Sequence, residues 1–525
     1  MKLQRSMSNI SMLGTSLSCM IGSGWLFGAV IAAKIAGPAA IISWIIGGAM
    51  VTFIAFTFSE LSTMLPVSGG IARFIQFSHG TFTSFCTSWL AWLSCVAVAP
   101  TEVGAMLYYL ANFFPSIMEQ SSNYHVLSNF GIIVAISILL IITILNVLTM
   151  KFIGKITTII GSWKVIVPLL TAVVIIFAKF DIHNFWQFRG FSPNGIHGIL
   201  MAVSSVVIFS FLGFREATSL AGEAKNPQKA IPIAVIGSVC ICLLLYITLQ
   251  ISFIGSVNSS MLDAGWSNIH FSGDFGPFAG IATTLGLSYL AYLIYLDSVV
   301  SPMGTGFTYT TTTARINYAM SKNKYTPSNM LKLNRNGIPI NAIIFNFIIG
   351  IALLLPFPEW EELIKFQSVA IIMAYGSGPI AMLALRTQKP ELNRPFKVFK
   401  PKLFAFITLY ICNLIIYWTG FNCIWRLMIA LLAGIVLLLC YRACTKEDMY
   451  PINILSAWWL LLQFIGITII SYLGSFEGIG VITFGADFAI IAIFSAMILV
   501  FSQYCKLPKH EVTIMLDNAQ DEIAS

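Results

Sequence analysis

Five ionisable side chains lie where the sequence is otherwise apolar. Glu102 falls in SCVAVAPTEVGAMLYYL, Lys164 in GSWKVIVPLL, Arg215 and Glu216 in VIFSFLGFREATSLAG, and Asp297 in AYLIYLDSVVSPMGTG. At the centre of a bilayer each charge costs at least about 2.5 kcal/mol, so such residues face an interior or a cavity and pair, relay protons or meet a charged ligand. A second chemical feature is MIGSGWLFG at 20–28, with three glycines and a serine in nine residues of a hydrophobic run. Glycine costs a helix interior about 1 kcal/mol relative to alanine. A helix interrupted at Gly22-Ser23-Gly24 frees backbone amides, and the amides opening the next half-helix suit a carboxylate. The competing reading is close helix packing through small residues.

These residues need a membrane around them, and the composition supplies it. The chain has 525 residues, 57% hydrophobic and 10% charged. A soluble domain carries roughly 25% charged residues. Fourteen apolar runs approach the ~20 residues that cross a bilayer as a helix: about 10–31, 38–62, 82–111, 129–149, 156–178, 198–221, 231–255, 279–311, 339–357, 362–385, 403–420, 423–441, 453–474 and 481–503. The expected fold is an all-α polytopic membrane protein. The short basic amino end (Lys2, Arg5) precedes an apolar run longer than that of a signal peptide, so the first span is expected to insert and stay.

With the amino end placed in the cytoplasm, 22 of the 29 Lys and Arg fall on the inner side. Lys34, Lys179 and Arg189 are outer, and Lys164, Arg215, Lys365 and Arg426 lie in or at the edge of spans. The positive-inside rule then places both termini in the cytoplasm, and the strict alternation favours an even span count. The net charge of +8 is topogenic and calls for no nucleic-acid partner. Outer loops lean acidic, with Glu119, Asp181, Asp263, Asp274, Glu359, Glu361 and Glu477. The tail 506–525 reads as polar and disordered. Two inner links, GEAKNPQKAIP (222–232) and KPELNRPFKVFKPK (389–402), read as extended or turn-forming.

Other chemistries have no residues to carry them. The ten cysteines include no C-x-x-C pair and read as small packing residues. The six histidines fall mostly in loops or at span ends without metal-binding spacing, so no metal or cofactor is expected. There is no H-E-x-x-H and no G-x-S-x-G to support an enzyme. No repeated filter motif or ring of charge suggests a channel. The longest inner loop, 312–338, is too short for a sensor domain.

The sixth run repeats the feature of the first: Ser210 to Glu216 place a glycine and two ionisable residues deep in it. Two Gly-interrupted spans at corresponding positions of an inverted repeat point to a transporter binding site. Here the sequence resembles the amino acid–polyamine–organocation transporter family over residues 10–441. The resemblance rests on GTSLSCMIGSGWLFG with AGPAA, SELSTMLPVSGGIARF, LAGEAKNPQKAIP, TARINYAMSKNKYTP and LALRTQKPELNRPFKV, in the family's order. Spans 13 and 14, with SPMGTGFTYT, resemble the fourteen-span bacterial branch that includes aspartate–proton symporters.

The resemblance implies a leucine-transporter-like 5+5 core over 1–385 (spans 1–5 about 10–178, spans 6–10 about 198–385), four accessory spans over 386–505 and a tail. It implies an amino acid bound between spans 1 and 6, carried across the bacterial cytoplasmic membrane with a proton. The substrate carboxylate would meet the amides of Ser23 and Gly24, with Gly22 allowing the turn. Its ammonium would meet carbonyls of Met20 and Ile21, and of Phe209 and Leu212, in a span 6 site that includes Ser210, Phe211 and Gly213. Tyr309 falls where relatives place an aromatic over the substrate, and Phe211 and Trp25 are further gate candidates. Lys164 falls where sodium-coupled relatives bind their ion, which implies proton coupling; Glu102 and Asp297 are candidate relays or partners of Lys164 or Arg215. Arg215 departs from the acidic or small residue of many relatives. It either reads a substrate side-chain carboxylate, favouring aspartate or glutamate, or pairs locally with Glu216. Glu60 belongs to a family pattern and reads as structural. An amino acid exchanger, such as glutamate against its decarboxylation product, uses the same scaffold.

Overall fold

The architecture follows from where the apolar runs bury their faces. In the computed structural model, the described residues are 7–66, 70–121, 124–148, 153–219, 221, 224–269, 276–334, 338–354, 360–445 and 452–524. The loop charges Lys2, Arg5, Lys151, Asp274, Arg335, Glu359 and Lys446, together with His270, lie outside them. So do parts of the quoted motifs, Ser68-Gly69 and Gly222-Glu223.

The chain opens with α1 (Asn9–Met20) and α2 (Gly24–Ala36), separated by a non-helical Ile21–Ser23. Next come α3 (Ala40–Met64), the short α4 (Ile71–His79) and α5 (Thr81–Leu110). A two-stranded antiparallel hairpin, β1 (Met118–Ser121) and β2 (Tyr124–Leu127), leads into α6 (Asn129–Leu148) and α7 (Ile153–Ala178).

The sixth apolar run is helical but irregular. It contains α8 (Gly195–Ala202), a π-helical turn at Val203–Val207, α9 (Ile208–Phe211), a 3-10 turn at Leu212–Arg215 and α10 (Glu216–Ser219). There follow α11 (Pro227–Ser256), α12 (Pro277–Thr284), α13 (Ser288–Lys322), α14 (Ile340–Leu353), α15 (Trp360–Tyr375) and α16 (Ser377–Gln388). The last elements are α17 (Pro401–Trp418), α18 (Phe421–Cys444), α19 (Trp458–Leu473), α20 (Ala486–Cys505) and α21 (Lys509–Ala524).

Helices overlie all fourteen predicted runs, and among the described residues eleven segments are long and apolar enough to cross a membrane by length and composition. α13 falls outside that set because its sequence is polar along much of its length, including Asp297, Ser301 and Thr305, which it buries. α14 is too short, and α2 and α3 merge into one stretch.

Burial separates the centre from the rim. The apolar window of Trp360–Gln388 is wholly enclosed by protein and that of α5 is 89% enclosed, whereas those of α6 and α18 are 28% enclosed and turn their remaining surface outward. α5 packs on α13 and α15, and α1 on α7 and α11, so the helices carrying Glu102, Lys164 and Asp297 converge on the interrupted first helix.

Two expectations are corrected. The tail is a helix, α21, with Leu507, Val512 and Leu516 buried. A few apolar residues on one face suffice to dock it, although its mean composition is polar. It lies against α4: the Leu507 amide donates to the Ser78 carbonyl (2.9 Å), and Gln388 Nε2 donates to the carbonyls of Ser78 (3.0 Å) and Leu507 (2.8 Å). In the link 222–232, residues from Pro227 onward are helical. Pro227 begins α11, where its missing N–H would have had no intrahelical partner, so the proline starts a helix there instead of closing one off.

Two distant motifs interlock near the ends of α3 and α16. Glu60 accepts from Arg386 Nε (2.7 Å) and Nη2 (2.6 Å) and from the Val398 amide (2.8 Å), with Arg394 Nε 4.0 Å away.

Candidate functional site

The site begins with the backbone of the first helix. Ile21 is extended (φ −94°, ψ 90°), which ends α1, and α2 restarts at Gly24. The carbonyls at the end of α1 carry partial negative charge, and the amides at the start of α2 carry partial positive charge. Each end meets an opposite charge from the protein. Lys164 Nζ donates to the Ser18 carbonyl (2.7 Å) and to Thr305 Oγ1 (2.6 Å) at the carbonyl end. At the amide end, the Ser23 amide donates to Glu102 Oε2 (2.8 Å) and the Ser23 hydroxyl to Glu102 Oε1 (3.1 Å). Ser23, Glu102 and Lys164 are all buried. Thr305 Oγ1 also lies 3.2 Å from the Ser18 carbonyl and 3.4 Å from that of Ile21.

Gly22 is required by this arrangement. A Cβ there would stand 2.6 Å from Glu102 Oε1 and 2.8 Å from Thr305 Oγ1. Gly24 and Gly213 are required by the crossing of the two irregular helices. A Cβ on Gly24 would stand 2.7 Å from Ser210 Oγ, and one on Gly213 would overlap the backbone of Cys19 and Met20. The same glycines therefore serve the turn and the close approach, the two readings the sequence left open.

The carbonyls named for an ammonium all have protein partners. Tyr246 Oη stands 3.0 Å from the Met20 carbonyl and 3.2 Å from that of Ser210. The Phe209 carbonyl accepts from the Leu212 amide, and the Leu212 carbonyl from the Tyr375 hydroxyl (3.2 Å). A carbonyl oxygen has a second lone pair, so these partners leave acceptor capacity. Phe209 packs edge-on against Trp360, which also packs against Phe27 of α2, and Phe211 packs against Trp44 and Tyr246.

Arg215 is buried beside this crossing. Its Nε donates to Glu216 Oε1 (3.1 Å) and its Nη2 contacts Cys95 Sγ, which is the local pair weighed from the sequence. Glu216 Oε2 is buried without a hydrogen-bond partner among the described residues. Tyr309 clusters with Cys19 and Cys95. Asp297 meets neither Lys164 nor Arg215 by hydrogen bond. Its carboxylate accepts from the indoles of Trp25 (2.9 Å) and Trp163 (2.6 Å) and from the Ser301 hydroxyl (2.7 Å), tying the first turn of α2 to α7 and α13.

Sequence reading missed Tyr246, Thr305, Trp163 and Tyr375. Thr305 stands inside the quoted SPMGTGFTYT and was within reach of notice. The three aromatics carry no signal, because an aromatic in a span reads as packing.

A family model described as amino acid permease matches residues 7–440. Among curated proteins, the glutamate/serine transporter AimA of Bacillus subtilis (strain 168) is 38% identical, covering 100% of this chain and 99% of that protein. An aspartate-proton symporter of the same organism is 35% identical over 96% of this chain and 97% of its own length. A methylthioribose transporter, also from that organism, is 25% identical over 79% and 88%.

Proposed function

We propose that this protein, which belongs to the amino acid permease family, takes up amino acids across the bacterial cytoplasmic membrane by proton symport, with aspartate or glutamate among its substrates. Amino acid transport through an integral membrane protein is the common ground of the family and the two full-length relatives, and the chain is no enzyme. Proton coupling and an acidic substrate are the finer parts of the proposal. The names of both relatives, a glutamate/serine transporter and an aspartate-proton symporter, support an acidic substrate, and the second supports proton coupling.

The observation that carries the reading is the charge pattern at the break. A zwitterionic amino acid has the polarity of the gap between α1 and α2, with its carboxylate toward Ser23 and Gly24 and its ammonium toward Met20 and Ile21. In this reading Gly22 allows the turn, the crossing segment Phe209, Ser210, Phe211, Leu212 and Gly213 forms the opposite wall, and Tyr309 covers the substrate. Lys164 carries the coupling proton, with Glu102 and Asp297 as the acids beside it. The inverted-repeat core spans 1–385, the accessory spans lie in 386–505, and both termini are cytoplasmic.

Arg215 is the residue proposed to read an acidic side chain. Its Nε is held by Glu216, and a substrate carboxylate competing for the guanidinium would exchange one charge-assisted pair for another. The test is a substrate panel in proteoliposomes of the purified protein, with and without a pH gradient. Aspartate or glutamate uptake driven by an inward proton gradient is the expected result. Uptake indifferent to the gradient but dependent on internal amino acid would assign exchange instead. In Arg215→Gln the preference for aspartate over serine should fall at least about tenfold, since a bidentate charged pair contributes on the order of 1.5–3 kcal/mol. An unchanged preference removes Arg215 from substrate reading.

A further inference from the structure

The seat assigned to the substrate's α-carboxylate is occupied by a carboxylate of the protein. Glu102 takes the Ser23 amide at 2.8 Å and the Ser23 hydroxyl at 3.1 Å, and both residues are buried. The Ser23 amide is one of the two donors assigned to an amino acid carboxylate at the start of α2, and the Ser23 hydroxyl stands beside it. The opposite end of the break is engaged by an ammonium, that of Lys164. Two side chains from α5 and α7 thus reproduce the two charges of an amino acid, in the same orientation. Both Glu102 oxygens lie against Gly22, where an added Cβ would stand 2.6 and 2.8 Å from them, so the carboxylate is seated directly on the break.

We infer that Glu102 is a tethered competitor of the substrate's α-carboxylate: the seat opens only when the Glu102 side chain leaves the Ser23 amide, and it leaves by taking a proton. This rests on the reading that the substrate carboxylate binds at the break. The balance is simple. The Glu102 carboxylate accepts one proton from the aqueous side and gives up the two hydrogen bonds from Ser23. The incoming α-carboxylate accepts those two hydrogen bonds. No net charge is added to the site by the carboxylate exchange, because one carboxylate replaces another that has been neutralised. The titratable and charged groups around Glu102 are Lys164 on α7 and Tyr246 on α11, with Cys19 of α1 and Asp297 of α13 beyond Lys164. A carboxylate expelled from its donors into these surroundings is unstable unless neutralised, since removing the partners of a buried charge is strongly unfavourable.

The test uses full-length protein in nanodiscs, equilibrium binding of L-serine and L-aspartate at pH 5.5 and 7.5, and the α-amides of both. For wild type, affinity should rise about tenfold at the lower pH, and binding should take up about one proton per site in weak buffer. Glu102→Ala should bind at both pH values as tightly as wild type does at pH 5.5, with no proton uptake. Glu102→Gln keeps an acceptor for Ser23 but cannot titrate, so it should bind with no pH slope; it serves where the alanine variant does not fold. Equal pH slopes in wild type and Glu102→Gln would overturn the proposal. So would weak binding by Glu102→Ala that Glu102→Gln restores without losing the slope, since Glu102 would then be only a cap of α2. If the α-amides bind as well as the acids in every protein, the carboxylate reading of the break itself fails.

A different region carries a second inference. A groove of about 480 Å³ is walled by Phe56, Phe396, Val398, Leu403, Phe404 and Ile407, and Lys397 and Lys400 stand at its edge. That volume lies in the range of small-molecule sites. The loop forming one wall is fixed from below, because the Val398 amide donates to the buried Glu60. Lys397, Lys400 and Lys402 are exposed, and the nearby Glu391 is paired with Lys389 at 3.2 Å. We propose that the groove holds an acyl chain of an anionic phospholipid whose headgroup phosphate lies among these lysines, as basic pockets beside membrane helices do. Native mass spectrometry in detergent, with phosphatidylglycerol and phosphatidylcholine supplied at equal concentration, reads it directly. Wild type should retain phosphatidylglycerol at least fivefold over phosphatidylcholine, and Lys397→Gln/Lys400→Gln should lose that preference. Equal retention of the two lipids by wild type, or an unchanged preference in the double variant, would overturn it.

Discussion

Lys164→Ala in proteoliposomes should abolish accumulation of amino acid against its gradient and leave exchange of labelled for unlabelled substrate within about tenfold of wild type. The ammonium donates to the Ser18 carbonyl and to Thr305. Alanine removes both bonds and the only charge that faces the carbonyl end of the break among the described contacts. Losing a charged hydrogen bond of this kind costs about 1.5–3 kcal/mol. That is enough to loosen the hold on the carbonyl end of α1, not to erase the proposed carboxylate seat on the other side of the gap. A transporter that binds and reorients but cannot carry a proton equilibrates its substrate and stops there. Counterflow measures that remainder, and an imposed pH gradient measures the loss. Lys164→Arg is the companion: it keeps the charge and donors but releases its proton far less readily, so it should exchange like wild type and still fail to accumulate. Accumulation by Lys164→Ala at the wild-type ratio would assign the lysine to structure alone.

What the sequence made legible here follows physical lines. The interruption of the first helix was readable because Gly22-Ser23-Gly24 is poor in helix propensity and sits where hydrocarbon leaves no water to satisfy a loose backbone. The irregularity of the sixth run was readable as a location, not as a form. The glycine and ionisable pair at 213–216 marked the place, but the π turn at Val203–Val207 depends on packing and the sequence does not encode it locally. Buried charges were readable as buried, because each has a large insertion cost. Their partners were not. Glu102 and Ser23 are 79 residues apart, and Trp25 and Asp297 are 272 apart. Nothing in either stretch says which carboxylate reaches which donor. Tyr246, which bridges the carbonyls of Met20 and Ser210, is one tyrosine in a run of leucines and isoleucines. The tail was misread because average polarity hid the buried face formed by Val512 and Leu516.

Glu60→Ala should lower stability by about 3–5 kcal/mol, the cost of leaving a buried charge without its partner. Glu60 is 1% exposed and Arg386 13%. One carboxylate accepts two N–H bonds from Arg386 and one from the Val398 amide. Removing it strands the guanidinium of Arg386 and a backbone amide and takes the carboxylate from beside Arg394, whereas removing Glu60 and Arg386 together spares the first of these costs. The asymmetry makes a sharp test. Glu60→Leu/Arg386→Met should recover part of what Glu60→Ala loses, because two apolar side chains of similar volume can replace a buried pair at little cost, while Arg394 still lacks its carboxylate. Unfolding of the purified protein by denaturant, read by circular dichroism at fixed lipid-to-detergent ratio, gives both values. A loss under about 1 kcal/mol for Glu60→Ala would mean that water reaches the pair and that it behaves as a surface salt bridge. The consequence for transport follows from position. Glu60 closes the end of α3, Arg386 the end of α16, and Val398 the loop entering α17. The pair therefore fixes one end of the frame around the interrupted helix, which moves in the proposed transport cycle. Glu60→Ala protein rescued for folding by low temperature should bind substrate with near wild-type affinity but turn over more slowly, while Glu102 and Lys164 variants change binding and coupling with the frame intact.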